Sequence, residues 1–168
     1  MLEIERKFLV ADESWRGQVS RFSRMRQGYF PSGKGHTLRV RLIDDSQAFL
    51  TIKAQGADAL ARLEFEYPIP VEDARLMLGV FCVGRTLSKT RHYLDFGGFT
   101  WEIDEFDGDN AGLVVAEIEL PTKTTAFQRP DWLGEEVTAD FRYRNANLVR
   151  QPYTSWERPD NASEPHAN

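Results

Sequence analysis

Leu2-Glu3-Ile4-Glu5-Arg6-Lys7-Phe8 is the stretch that decides the fold. Its side chains alternate between charged and apolar until Arg6 interrupts the apolar series. Read as a strand, with successive side chains on opposite faces, it places Glu3, Glu5 and Lys7 on one side and Leu2, Ile4, Arg6 and Phe8 on the other. The same period-two pattern recurs in Leu38–Leu42, Phe49–Lys53, Leu63–Tyr67, Leu87–Tyr93, Thr100–Phe106 and Ala116–Leu120. Phe22–Phe30 carries a weaker version and makes an eighth segment.

The intervening residues read as turns. Gly33–Gly35, Asp44-Asp45, Gly56, Gly97-Gly98 and Asp107–Gly112 punctuate the strands, and Phe96-Gly97-Gly98-Phe99 is a two-residue hairpin signal. Successive hairpins predict a largely antiparallel sheet. Helical signals are fewer. Asp12–Gln18 and Thr122–Phe127 are short candidates, and Val71–Leu78, between Pro70 and Gly79, is a better one. Gly134–Ala139 reads as helix or turn. One domain is expected over residues 1–150, followed by a polar, poorly ordered tail over 151–168 in which Trp156 can dock.

The bulk numbers set limits. A chain of 168 residues with 41% hydrophobic and 28% charged side chains suits a soluble domain with a real core. A net charge of -5 argues against duplex nucleic acid as a partner. The single cysteine, Cys82, can form neither an intrachain disulfide nor a thiolate metal site and reads as a core residue. No apolar run is long enough for a membrane span and no secretion signal opens the chain, so a cytoplasmic location is expected.

The charged faces are unlike an ordinary solvated sheet surface, because like charges recur in pairs. Glu3/Glu5, Glu64/Glu66, Glu102/Asp104 and Glu117/Glu119 are acidic; Arg39/Arg41 and Lys89/Arg91 are basic, with Lys7 and Lys53 as single members. Carboxylates two residues apart lie roughly 6.5–7 Å from each other on one face. They repel unless a cation compensates. Oxygen ligands without histidine or cysteine suit Mg²⁺ or Mn²⁺ rather than zinc. The basic members call for an anion, and lysine with arginine suits phosphoryl oxygens. The pattern therefore predicts a cavity that takes a metal-bound polyanion. Arg62, in phase with Glu64, reaches toward the same space. His92 is out of phase with Lys89 and Arg91 and reads as structural or external.

In this order and context the motifs resemble the CYTH superfamily of triphosphate tunnel metalloenzymes. The resemblance runs from Met1 to about Leu148. It rests on the ExExK of Glu3–Lys7, LRVR at Leu38–Arg41, TIK at Thr51–Lys53, EFEY at Glu64–Tyr67, SKTRH at Ser88–His92, WEIDEF at Trp101–Phe106 and AEIEL at Ala116–Leu120. Trp132-Leu133-Gly134 with Glu136-Val137-Thr138 resembles the compact bacterial group linked to inorganic triphosphate. Ala139-Asp140-Phe141-Arg142-Tyr143 departs from that group's usual Gly-Asp-Pro-Arg-Tyr. The resemblance implies a mainly β (α+β) fold, an eight-stranded antiparallel closed β-barrel with helices packed outside. It implies Mg²⁺- or Mn²⁺-dependent hydrolysis of a small-molecule triphosphate and is compatible with a homodimer.

By the same resemblance, Glu3, Glu5, Glu117 and Glu119 form the main metal set. Glu64, Glu66, Glu102 and Asp104 complete the acidic wall, holding a second metal or positioning water. Lys7, Arg39, Arg41, Lys53, Lys89 and Arg91 clamp phosphates, and Glu5, Glu119, Lys89 and Arg91 are closest to the chemistry. Inorganic tripolyphosphate is the first substrate. Nucleoside or thiamine triphosphate hydrolysis, a class IV-type adenylate cyclase reaction and non-catalytic polyphosphate binding are the alternatives. The acidic set argues against the last, since an anion binder gains nothing from so many carboxylates.

Overall fold

The computed structural model describes residues 2–33, 35–55 and 62–156. Ten strands make one sheet: β1 (Leu2–Glu3), β2 (Glu5–Val10), β3 (Arg21–Tyr29), β4 (His36–Ile43), β5 (Gln47–Gln55), β6 (Arg62–Ile69), β7 (Thr86–Phe96), β8 (Phe99–Phe106), β9 (Val114–Glu119) and β10 (Leu133–Glu136). Every pairing is antiparallel, in the order β1-β6-β5-β4-β3-β7-β8-β9-β2-β10. The hairpins turn where the sequence predicts. Asp44 and Asp45 have φ of 49° and 52°, and Gly97 and Gly98 have 61° and 82°. These positive values suit the right-handed twist of the joined strands.

The expected eight-stranded closed barrel is not what forms. Among the described residues the ladder has ten strands and is open, with β1 and β10 at its ends. The N-terminal segment splits at Ile4: β1 pairs with β6, whereas β2 pairs with β9. The other edge of β2 is taken by β10, so its backbone groups are already used. β10 falls where a helix or turn was expected. Gly134 permits it, since a Cβ there would meet the Leu9 carbonyl oxygen at 2.9 Å. The sheet nonetheless curls, and inward-facing side chains of β2 through β9 line one cavity.

Apolar packing lies mostly on the outer face. Phe8, Trp101, Ile103, Ala116 and Ile118 pack with Trp15 and Trp132 in one cluster. Trp15 belongs to a 3-10 turn at Ser14–Gln18, the short helix expected over Asp12–Gln18. A second cluster joins Val40, Leu42 and Ala48 to Ala74 and Leu78 of α1 (Val71–Val80) and to the buried Cys82. Pro70 precedes α1, and Glu72 and Asp73 occupy its first turn, where carboxylates favour the helix dipole. Thr122–Phe127 is not a helix: the Thr125 hydroxyl accepts from the Thr122 backbone N–H at 3.1 Å, a side-chain bond that competes with helix formation.

A third cluster ends the cavity. Leu9, Leu87, Phe106 and Val115 share strand faces with Lys7, Lys89, Asp104 and Glu117, but they pack against Leu148, Tyr153 and Trp156. Leu148 ends α2 (Asn145–Leu148), and Tyr153–Ser155 is a 3-10 turn. Residues up to Trp156 thus fold back onto the sheet; residues 157–168 of the expected tail lie outside the described residues. Among the described residues, no helix is long and apolar enough to cross a membrane.

Gly28 is where sheet and α1 approach most closely. A Cβ there would lie 2.6 Å from Cys82 Cβ and 2.9 Å from Leu78 Cδ2. Gly28→Ala is therefore expected to cost about 1–3 kcal/mol of stability through overpacking. Denaturant unfolding of the two proteins measures it.

Candidate active site

Strand register puts like charges opposite one another. Glu5 is the cross-strand partner of Glu119, and Glu102 that of Glu117, while Lys7 faces Glu117. Directly opposed carboxylates are unfavourable without compensation. Part of that compensation is internal. The Lys7 ammonium is 3.2 Å from Glu5 and bonds Glu117. Burial works against its charge, but the Glu117 and Glu5 carboxylates outweigh this and raise its pKa. Glu117 is itself only 6% exposed. Burial opposes its ionisation, yet Lys7 and Arg91 hold its carboxyl below the usual range.

Arg91, also buried, is gripped from several sides. Its Nε and one terminal nitrogen donate to the two oxygens of Asp104 at 2.7 and 2.8 Å. It also donates to Glu117 at 3.3 Å and bonds Glu102. Asp104 and Lys89 are 0% and 1% exposed and do not border the cavity. Lys89 bonds Asp104, and since Arg91 borders the cavity while these two do not, both belong to the layer behind Arg91. Burial, then repulsion from Arg91, pulls Lys89 down to about 8, because the two cations share one carboxylate. Burial alone would raise Asp104, but Arg91 and Lys89 hold it far below the usual carboxylate range. Glu102 is raised, chiefly by burial.

The facing wall is built from β4, β5 and β6. The Arg39 guanidinium donates to Thr51 Oγ1 at 3.0 Å and lies 3.5 Å from Glu66, to which Thr51 donates at 2.9 Å. Lys53 pairs with Glu64 at 2.7 Å. Arg41 stands apart. It forms no ion pair among the described residues, and its buried Nε has no hydrogen-bond partner there. Burial and the nearby Arg39 and Arg91 pull it down to about 10.

Together these groups line a cavity of about 740 Å³. It contains Glu5, Lys7, Arg39, Arg41, Lys53, Glu64, Glu66, Arg91, Glu102, Glu117 and Glu119 from the predicted set. The side chains of Glu3 and Arg62 lie outside the described residues, though their backbones pair with each other. His92 is remote from the cavity, against Trp15 and 3.3 Å from Glu105. Arg24 and Arg26 are exposed and do not border it. Tyr29, Arg85, Arg144 and Arg150 also line the cavity, although none belongs to the paired charges that the strand pattern singles out. Arg85 follows a loop and Arg150 a short helix, where no strand period assigns a face. Tyr29 is in phase with Gln27 and Met25 on β3, the only signal that pointed inward.

The donor chemistry suits a hard divalent cation. Glu5, Glu117 and Glu119 offer carboxylate oxygens on two adjacent strands, with cross-strand repulsion for a cation to relieve. Among the described residues, no three such groups already converge as a metal cage.

Comparison with known proteins agrees. The CYTH domain model matches residues 1–153, and the chain belongs to that family. It is 44% identical over 155 residues to the inorganic triphosphatase of Acetivibrio thermocellus, covering 92% of this chain and 97% of that protein. It is 37% identical over 153 residues to that of Nitrosomonas europaea, covering 89% and 97%. The crystal structure of the inorganic triphosphatase NE1496 superposes with a TM-score of 0.65 at 34% identity, covering 88% of this chain and 93% of that one. Membership supports divalent-metal-dependent enzyme chemistry in general.

The Asp104 arrangement has a pH signature. Its folded pKa is depressed, so its stabilisation is complete above the unfolded value, near 3.8, and is lost as pH falls below it. Asp104→Asn is expected to lower stability at pH 7 by about 3 kcal/mol, because Arg91 and Lys89 lose a buried counter-charge. The variant should also show a shallower fall in Tm between pH 4 and 2, on the order of the wild-type window. Thermal unfolding across that range checks both.

Proposed function

We propose that this chain hydrolyses inorganic triphosphate to pyrophosphate and orthophosphate with the aid of Mg²⁺ or Mn²⁺. The observation that carries the reading is Arg41, a half-buried arginine that borders the cavity beside two further arginines and whose buried Nε has no partner among the described residues. Such excess positive charge is relieved by a multivalent anion. The carboxylates opposite would be relieved by a cation, so a metal-chelated polyphosphate answers both demands. The names of the relatives support inorganic triphosphate over other triphosphates.

In this reading Arg39, Arg41, Lys53 and Arg91 bind phosphoryl oxygens, with Arg91 oriented by Asp104 and Lys89. Lys7 holds Glu117 and Glu5 in place and lends charge to the phosphates. Glu5, Glu117 and Glu119, joined by Glu3 and flanked by Glu102, are the residues that would hold the cation. Glu64 and Glu66 serve as counter-charges for Lys53 and Arg39 on the far wall. Asp104 is assigned to positioning, since both of its oxygens are taken by Arg91 and Lys89.

A bound divalent cation supplies charge neutralisation and an activated water. In the overall hydrolysis a water oxygen bonds to a terminal phosphorus while the bridging P–O bond breaks, pyrophosphate leaves, and the proton given up by the water ends on a product phosphate oxygen. Preorganised guanidinium groups stabilise charge developing on the equatorial and leaving oxygens.

Orthophosphate release from tripolyphosphate, ATP and thiamine triphosphate, each with Mg²⁺, Mn²⁺ or EDTA, tests this. Metal-dependent release from tripolyphosphate exceeding that from the other two is expected. Cyclic nucleotide formed from ATP would overturn it. Glu5→Gln and Glu119→Gln should each lower turnover at saturating metal on the order of a hundredfold while leaving Tm near that of the wild type.

A further inference from the structure

Two arginines at one end of the cavity take no part in the inner clamp. Arg85 precedes β7 and Arg150 follows α2, and both border the cavity. Their backbones are fixed. The Arg85 N–H donates to the Cys82 carbonyl at 2.9 Å, and its own carbonyl accepts from the Tyr29 N–H at 3.0 Å. The Arg150 N–H donates to the Asn147 carbonyl at 3.0 Å. Leu87, two residues beyond Arg85, and Leu148, two residues before Arg150, belong to the same apolar cluster. That cluster brings two segments far apart in the chain to one end of the cavity.

Most cations of the lining are already matched. Lys7, Arg39, Lys53 and Arg91 each pair with a carboxylate. Arg85 and Arg150 form no ion pair among the described residues, and neither stacks on an aromatic ring there. Arg85 is half-buried and Arg150 is exposed. With Arg41 further in, uncompensated positive charge extends from the solvent side to the interior. An arginine kept for structure is expected to be paired or stacked, and these two are neither. The chain as a whole carries a net charge of -5, which repels a polyanion at long range. Salt screens that repulsion beyond about 8–10 Å, so the local charge at a cleft mouth decides whether an anion enters.

We propose that Arg85 and Arg150 form an outer anion subsite that captures the incoming triphosphate and passes it to Arg39, Arg41 and Arg91. The end of the cavity beside α2 is then its entrance. A guanidinium suits the task, because it is weakly hydrated and offers a fork of donors to phosphoryl oxygens. The subsite acts before the chemical step. It therefore governs encounter and binding, and leaves the barrier from bound substrate to the transition state to the inner groups. The inference deepens the triphosphatase reading and rests on it.

The double variant Arg85→Gln/Arg150→Gln removes both charges and keeps polar side chains. With inorganic triphosphate and Mg²⁺ at low ionic strength, its kcat/KM is expected to fall on the order of tenfold, with kcat within about twofold of the wild type. Raising the salt should lower kcat/KM steeply in the wild type and less in the variant. Arg85→Lys/Arg150→Lys restores the charges and should recover most of the loss. A double Gln variant with wild-type kcat/KM and salt dependence would overturn the subsite. So would a loss shared equally by kcat and kcat/KM, or one as large in the Lys pair as in the Gln pair, since either marks a role in chemistry or packing. Calorimetric binding of inorganic triphosphate in EDTA, where the proposed hydrolysis stops, separates the subsite from the activity. Weaker binding by the Gln pair with no wild-type turnover in Mg²⁺ refutes the activity alone. Wild-type turnover, with binding and kinetics unchanged in the Gln pair, refutes the outer subsite alone.

Discussion

Arg91 is held by the carboxylates of Asp104, Glu102 and Glu117, and this buried arrangement sets the terms for the rest of the molecule. A charge removed from water is tolerable only when it is paired and well bonded. Asp104 satisfies two donors of Arg91 and is itself braced by Lys89 from behind. Glu117 ties Arg91 to Lys7, and Lys7 reaches Glu5. One continuous network therefore spans β7, β8, β9 and β2. Its geometry is rigid where phosphate would be bound and less confined toward Glu119, which is exposed.

Charge on the concave face displaces the hydrophobic core to the convex one. Trp15, Trp101 and Trp132 pack outside the strands that carry Lys7, Glu102 and Glu117 within. α1 covers the backs of β4 and β5 in the same way, opposite Arg39 and Arg41. Only at one end does the inner face turn apolar, where Leu9, Leu87, Phe106 and Val115 receive Leu148 and Trp156. That end lies beside Lys89 and Asp104 in the strand sequence, which is how an ion pair comes to be wholly buried.

Much of this was legible in the chain. The alternation of Leu38–Leu42 and Thr100–Phe106 assigned Arg39, Arg41 and Glu102 to one face, because a strand has only two faces and the apolar one must be covered. The strands and the hairpins at Asp44-Asp45 and Gly97-Gly98 followed from the same pattern. Other features were not legible. Period two says which side a residue is on but not how deep it lies, so Asp104 read as a cavity carboxylate although it sits behind Arg91. β10 was missed because four residues with a glycine carry little period, and its pairing depends on the free edge of β2. That edge in turn decided that the ladder remains open. Arg85 and Arg150 come from a loop and from beyond a short helix, where sequence spacing assigns no direction.

The sequence by itself determined the polar face, its pairing of like charges and hence the demand for both a cation and a polyanion, since these follow from strand geometry and electrostatics alone. Tertiary structure decided which charges meet. Lys7 with Glu117, Arg91 with Asp104 and Gln27 beneath Tyr29 depend on register between strands and on depth in a curled sheet. Those are set by long-range hydrogen bonding and packing, which local periodicity does not encode. The charged inner face was written in the chain; the division between groups that touch the cavity and groups that brace them from behind was not.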